Sequence, residues 1–219
     1  MERDRILRAL KTAGLSIVPT GCAFEMAAFI DDSSLLFEKE RALVEGWAVA
    51  RQQEFMAGRF CARRALAASG RMEVAILRDA DGLPLWPEGV VGSITHCRGI
   101  AAAVLRSITG PDSLLGLDLE KTNRLSVSAG RRVLHPSEAK FAGDSQIRAT
   151  ILFSLKEAFY KAQFPRWRTT GNFQDIGLEV DLASGRAEVG ALGGRFDPEL
   201  SGLRFRFALV GDYVLCLCC

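Results

Sequence analysis

The chain has 219 residues, 48% of them apolar, with 28 lysines and arginines against 26 aspartates and glutamates and a sequence pI of about 8.3. That is enough apolar material for one globular core or two lobes of about a hundred residues each, and it excludes a disordered chain. A net charge of +2 is too weak a field to bind nucleic acid by charge alone, so any polyanion site must be local.

No apolar run approaches the roughly 20 residues of a membrane-spanning helix, and Met1 to Arg8 lack the apolar centre of a signal peptide. The expectation is a soluble, cytoplasmic protein with no nucleic-acid partner and no membrane span. Six cysteines (Cys22, Cys61, Cys97, Cys216, Cys218 and Cys219) include no Cys-x-x-Cys pair with a matching partner. They read as packed, reduced thiols rather than a zinc site.

In chain order, Ala42 to Ala68 is alanine-rich and amphipathic and reads as one helix. Val74 to Leu77 reads as a strand, Asp81-Gly82-Leu83-Pro84 as a turn, and Val91 to Leu105 as two strands about an Arg98-Gly99 turn. Thr109 to Ser113 is turn-rich and falls near the midpoint, so lobes at 1–112 and 113–219 are expected. Leu114 to Leu119 then reads as a strand, and Ser126 to Leu134 and Pro136 to Phe141 as helices. Arg148 to Phe164 reads as an amphipathic helix stopped by Pro165. Strands resume at Leu178, and Leu203 to Leu217 forms a hairpin about a Gly-Asp turn. Each half gives a long helix, then strands, then a terminal hairpin. The fold class is α+β, two similar lobes with a ligand cleft between them.

Two blocks carry the chemistry. Asp118 and Glu120, two apart on a strand, project to one side. On the later helix Glu157 and Lys161 share one face, and Lys156 and Tyr160 share the adjoining stripe. Three carboxylates (Asp118, Glu120, Glu157) suit a hard cation such as Mg2+, and Lys156 and Lys161 supply ammonium groups for phosphates. The same residues also fit an exposed Asp-x-Glu strand and a surface Glu-Lys pair. His96, next to hydroxyls from Ser93 and Thr95, could clamp a terminal phosphate. Arg51, Arg59 and Arg63 lie near one helical face, and Arg78 precedes the Gly-Leu-Pro turn. His135 before Pro136 reads as a helix-entry residue.

In order and spacing, Gly82-Leu83-Pro84, Gly92-Ser-Ile-Thr-His-Cys97, Gly116-Leu-Asp-Leu-Glu120 and Phe153-Ser-Leu-Lys-Glu-Ala-Phe-Tyr-Lys161 closely resemble the 4'-phosphopantetheinyl transferases of the surfactin/enterobactin synthase-activating type. Arg51 to Leu66 resembles the arginine-containing helix of the enterobactin-associated branch. The resemblance implies a pseudo-two-fold monomer with its active site in the cleft. Such a monomer transfers phosphopantetheine from coenzyme A to a serine of an apo acyl or peptidyl carrier protein, releasing adenosine 3',5'-bisphosphate. It implies Asp118, Glu120 and Glu157 as ligands of Mg2+, for which Mn2+ can substitute, and Lys156 and Lys161 on the pyrophosphate. His96 falls on the 3'-phosphate with Arg51, Arg59 and Arg78, and Thr95 beside it. The Gly82-Leu83-Pro84 backbone lies along adenine. The first lobe would hold the 3'-phosphate and adenine, and the second the metal, the pyrophosphate and the carrier; Arg124, Arg131, Arg132 and Lys140 suit either an acidic carrier helix or a solvated basic helix. Glu157, with Asp118 and Lys161, carries the chemistry, taking the serine proton directly or through a metal-bound water. A nucleotide-binding module without transfer and a metal-dependent phosphohydrolase are the competing readings.

Overall fold

Residues 2–29, 32–110 and 113–219 are described in the computed structural model of the chain. Pro111 and Asp112 of the expected linker turn lie outside the described residues. The chain divides into two units, Met1–Ser113 and Leu114–Cys219.

The first unit contains α1 (Glu2–Ile17), β1 (Cys22–Ala28), α2 (Glu38–Val44), α3 (Val49–Ala68), β2 (Val90–Cys97) and β3 (Ile100–Ser107). Its antiparallel sheet has the order β1-β3-β2. The β2–β3 hairpin turns at Arg98 and Gly99, both at positive φ (47° and 83°), as a tight two-residue hairpin requires. Helix α3 packs Ala57, Cys61, Ala62, Ala65 and Leu66 onto Ala101, Ala103 and Leu105. Gly58 permits this close approach, because a β-carbon there would come within 2.9 Å of Ile94. The helix ends in a Schellman motif: Gly70 N–H donates to Ala67 O and Arg71 N–H to Leu66 O, with Gly70 at φ 77°.

The second unit contains β4 (Gly116–Lys121), α4 (Val127–Gly130), α5 (Ala139–Ala142), α6 (Gln146–Trp167), β5 (Ile176–Asp181), β6 (Arg186–Leu192), β7 (Arg204–Val210) and β8 (Tyr213–Cys218). Its five-stranded sheet runs β4-β8-β7-β6-β5. Helix α6 buries Ile151, Leu152, Leu155, Ala158, Phe159 and Ala162 among Phe205, Phe207, Val214, Cys216 and Cys218. Gly116 allows β4 to lie against α6; a β-carbon there would collide with the Ala158 carbonyl. The two units are similar α+β lobes. In both, a first strand is followed by a long helix and a closing hairpin, and the first strand pairs with the hairpin's second strand (β1 with β3, β4 with β8).

Several expectations change. Ala42 to Ala68 is two helices, broken after Val44 where Gly46 takes φ 77°. Val74 to Leu77 is not a strand, because side chains take its backbone groups: Ile76 N–H donates to Glu40 and Ile76 O accepts from Arg59. Helix α6 runs through Pro165 for one half-turn more, held by the Trp167 indole N–H on Asp197 (3.0 Å), and stops at Arg168 in the left-handed region. Helix α1 and strand β1 were not anticipated. Among the described residues no helix is long and apolar enough to cross a membrane.

Candidate active site

In the second unit, Asp118 lies on β4 with only 4% of its surface exposed. Both of its oxygens are engaged. Lys161 Nζ donates to Oδ1 at 2.6 Å and to Leu117 O at 3.1 Å, and Ser154 Oγ donates to Oδ2 at 2.8 Å. A carboxylate held from two sides has one rotamer, which is what a charged site needs before substrate arrives. Two residues along β4, Glu120 faces Arg124 at 3.6 Å. Glu157 completes the acidic set from α6. Burial pushes its carboxyl above the ordinary value of 4.5, and the charges of Asp118 and Glu120 push the same way, against Lys161 and Arg124. Glu157 therefore lies within electrostatic reach of the other two predicted carboxylates and of Lys161. As a donor set they offer the hard, anionic oxygens that Mg2+ prefers, and a divalent cation would relieve their crowding. Among the described residues, however, no three such groups form a ready metal cluster.

Lys156 is placed differently. It is 1% exposed, and its ammonium donates to Val133 O (2.9 Å), Glu138 Oε2 (2.7 Å) and Phe173 O (2.9 Å). Those bonds use all three of its N–H groups, so it presents none to a phosphate. Burial draws its pKa down while the Glu138 carboxylate pulls it back up. Glu138 in turn accepts from the N–H groups of His135 and Leu178, each at 2.8 Å. The expected pairing of Lys156 with Lys161 on one anion does not fit this geometry. Spacing alone could not show it, since five residues on a helix separate a core-facing position from a solvent-facing one.

The first unit has a pocket of about 170 Å³ lined by Arg51, Arg59, Arg78, Gly82, Pro84 and His96, with Trp47, Glu54 and Phe55. Glu54 sits between Arg51 and His96, 3.2 Å from the guanidinium and 3.6 Å from the imidazole Nδ1. Arg59 donates to Ile76 O at 2.6 Å and stacks on Phe55, with its guanidinium 4.3 Å from the ring centre. Burial brings its pKa down to about 10, which leaves it charged at neutral pH. Arg78 stacks over Trp47 at 5.1 Å and lies against Gly82, where any side chain would strike its guanidinium. The turn is set by Asp79, whose Oδ1 accepts from Asp81 and Leu83 N–H, with Gly82 at φ 84°. Leu83 does not line the pocket.

Two expectations fail here. Thr95 and Ser93 are buried (2% and 4%), whereas Ile94 and His96 reach the pocket. Alternation along β2 puts the hydroxyls on the face opposite His96, so they do not clamp one anion with it. Arg63, expected near the polyanion face, is 4% exposed and paired with buried Glu40. Sequence reading assigned nothing to Ser154, although it lies in the motif beside Lys156; its partner is identified only by the pairing of β4 against α6.

A model of the 4'-phosphopantetheinyl transferase N-terminal domain matches residues 39–106, and one of the 4'-phosphopantetheinyl transferase superfamily matches residues 114–218. The chain is 36% identical over 153 residues to 4'-phosphopantetheinyl transferase Npt of Nocardia iowensis, covering 68% of each chain. The chain belongs to the 4'-phosphopantetheinyl transferase family. It is also similar to the family member Svp of Streptomyces mobaraensis, at 35% identity over 161 residues, covering 71% of this chain and 65% of Svp. Enterobactin synthase component D of Salmonella typhi is 34% identical over 122 residues, covering 51% of this chain and 48% of that one. The matches thus span about two thirds or less of these relatives' lengths. The two phosphopantetheinyl transferase models fall one on each unit, the first over the arginine pocket and the second over the Asp118–Lys161 group.

Proposed function

We propose that this chain transfers 4'-phosphopantetheine from coenzyme A to a serine hydroxyl of an apo acyl or peptidyl carrier protein, releasing adenosine 3',5'-bisphosphate. The observation that carries this reading is the Asp118–Glu120–Glu157 set with Lys161 inside it, in a chain whose two halves match the two domains of this family. Splitting a phosphoanhydride needs little covalent help. It needs an aligned nucleophile and neutralised charge.

Arg51, Arg59, Arg78 and His96 bind the 3'-phosphate in this reading, and the turn at Gly82 and Pro84 lies beside adenine. The pocket's cationic lining supports the assignment. Asp118, Glu120 and Glu157 would hold Mg2+, which supplies positive charge to the pyrophosphate when bound. Lys161 binds the pyrophosphate by exchanging its bond to Asp118 for a phosphate oxygen. Glu157 accepts the serine proton; burial, with the charges of Asp118 and Glu120, raises its affinity for a proton above the ordinary carboxylate value. The exposed Arg131, Arg132 and Lys140 offer cations to an acidic carrier surface. In this reading the protein is a monomer of the reducing cytoplasm, and its six cysteines form no disulfide with one another.

The test is mass spectrometry of several apo carrier proteins incubated with the protein, coenzyme A and Mg2+. Addition of one phosphopantetheine group to the carrier serine is expected. Unchanged mass across fatty-acid, polyketide and peptide carriers would overturn the reading, and release of phosphopantetheine to water without a carrier would make the chain a hydrolase.

A further inference from the structure

We infer that Lys156 is a positioning residue, not a phosphate ligand: its ion pair with Glu138 fixes the rotation of α6 that turns Glu157 and Lys161 toward the reacting groups. The inference rests on the transfer reading for its catalytic consequence and on geometry alone for its structural one. Lys156 is joined to Val133 O, Glu138 and Phe173 O, and Glu138 to the N–H groups of His135 and Leu178. Three short bonds therefore tie α6 to the 133–138 segment and to Phe173, and two more hold Glu138 to its own turn and to β5, with both side chains 2% exposed or less. Helical geometry places Glu157 about 100° and Lys161 about 140° around the axis from Lys156. Fixing the lysine on one side fixes the carboxylate and ammonium on the other.

The same device recurs in the first unit, whereas Asp118, Glu120 and Glu157 all belong to the second. Glu40 is the third residue of α2 as Glu138 is the third residue of its own short helical turn, and each carboxylate turns back onto the backbone N–H of the residue that precedes its helix. Glu40 accepts from Phe37 N–H, three residues before it, and from Ile76 N–H; Glu138 accepts from His135 N–H, again three before, and from Leu178 N–H. The long helix supplies the cation in both, Arg63 or Lys156, and each cation also bonds the carbonyl five residues before its glutamate, Leu35 or Val133. A tie repeated in a half without that carboxylate set belongs to the frame of the fold rather than to phosphate binding.

The experiment compares wild type with Lys156→Met, Lys156→Arg, Glu138→Gln and the double variant E138Q/K156M. The melting temperature, titration of coenzyme A and steady-state transfer are measured for each. Loss of either partner is expected to lower Tm by about 10 °C, with clear non-additivity in the double variant. The kcat should fall about 100-fold while coenzyme A affinity stays within about threefold, and K156R should recover much of both losses. Glu138→Gln keeps the lysine and carries the same test if K156M does not fold. The inference is overturned if K156M melts with wild type, or if K156M weakens coenzyme A binding tenfold or more while E138Q leaves it unchanged. A wild-type protein that modifies no apo carrier would remove the functional reading and leave the Tm comparison to decide the tie.

Discussion

The tie between Glu40 and Arg63 in the first unit and that between Glu138 and Lys156 in the second solve one problem with different residues. Each holds a long helix against a capped turn and a backbone N–H beyond it. In the first unit the cation is a guanidinium, whose fork bonds Glu40 and Leu35 O while its face covers Phe37 at 4.9 Å. In the second it is an ammonium with three acceptors and no ring. The units then diverge in what the helix offers. Helix α3 carries arginines into a pocket, whereas α6 carries Glu157 and Lys161 to a carboxylate on β4. The shared part is structural and the unshared part is chemical, and this separates Lys156 from Lys161 within one motif.

The comparison is broken most sharply by removing what only the second unit has. Glu157→Gln should lower kcat about 10³-fold with coenzyme A binding retained, as read by titration and by transfer to an apo carrier. Retained transfer in that variant would leave the second unit without its chemical distinction.

Next come the ties themselves. Glu40→Gln and Glu138→Gln should each cost about 3–5 kcal/mol in urea unfolding, because each deprives a buried cation of its buried carboxylate. Unequal losses would show that the two ties are alike in geometry only.

A smaller effect is expected at Ser154, whose hydroxyl holds Asp118 Oδ2. Ser154→Ala should reduce kcat/KM about tenfold and Ser154→Thr should restore most of it, in line with the roughly 1–3 kcal/mol of a buried bond to a charged group.

The smallest signal is a pH dependence. The Glu157 carboxyl binds its proton more tightly in the fold than at its ordinary value of 4.5. Its protonated form therefore stabilises the fold below that value, and the contribution is lost as pH rises through the folded pKa. Without added metal, the Tm of Glu157→Gln minus that of wild type should grow as pH is raised above about 4.5. A difference independent of pH would contradict the crowding of Glu157 by Asp118 and Glu120.

Much of this was legible in residues alone. The hairpin at Arg98-Gly99, the turn at Gly82, strand β4 and helix α6 follow from glycine placement and apolar spacing, and the Asp118, Glu120, Glu157 and Lys161 group from period and motif. What failed did so for physical reasons. Val74 to Leu77 has a strand's composition, but its backbone is satisfied by Glu40 and Arg59, and a side-chain partner leaves no mark on local pattern. Lys156 and Lys161 look equivalent on paper and differ in burial, which depends on the 133–138 segment that covers one of them. Thr95 was placed with His96 by proximity in sequence, whereas adjacent strand residues face opposite ways. Glu40 and Glu138 share few neighbours in sequence, so the repeat that links the units is visible only in their hydrogen bonds.

Two structural ties that hold helices with different groups, arginines in the first unit and Glu157 with Lys161 in the second, are told apart most directly by steady-state transfer kinetics of Glu40→Gln and Glu138→Gln, side by side at a temperature where both are folded. Arg59 donates to Ile76 O, and Ile76 N–H donates to Glu40, so loosening the first tie loosens a pocket arginine. The predicted result is a KM for coenzyme A raised several-fold with kcat kept in Glu40→Gln, and a kcat lowered about 100-fold with KM kept in Glu138→Gln. Identical changes in kcat and KM for the two variants would contradict it.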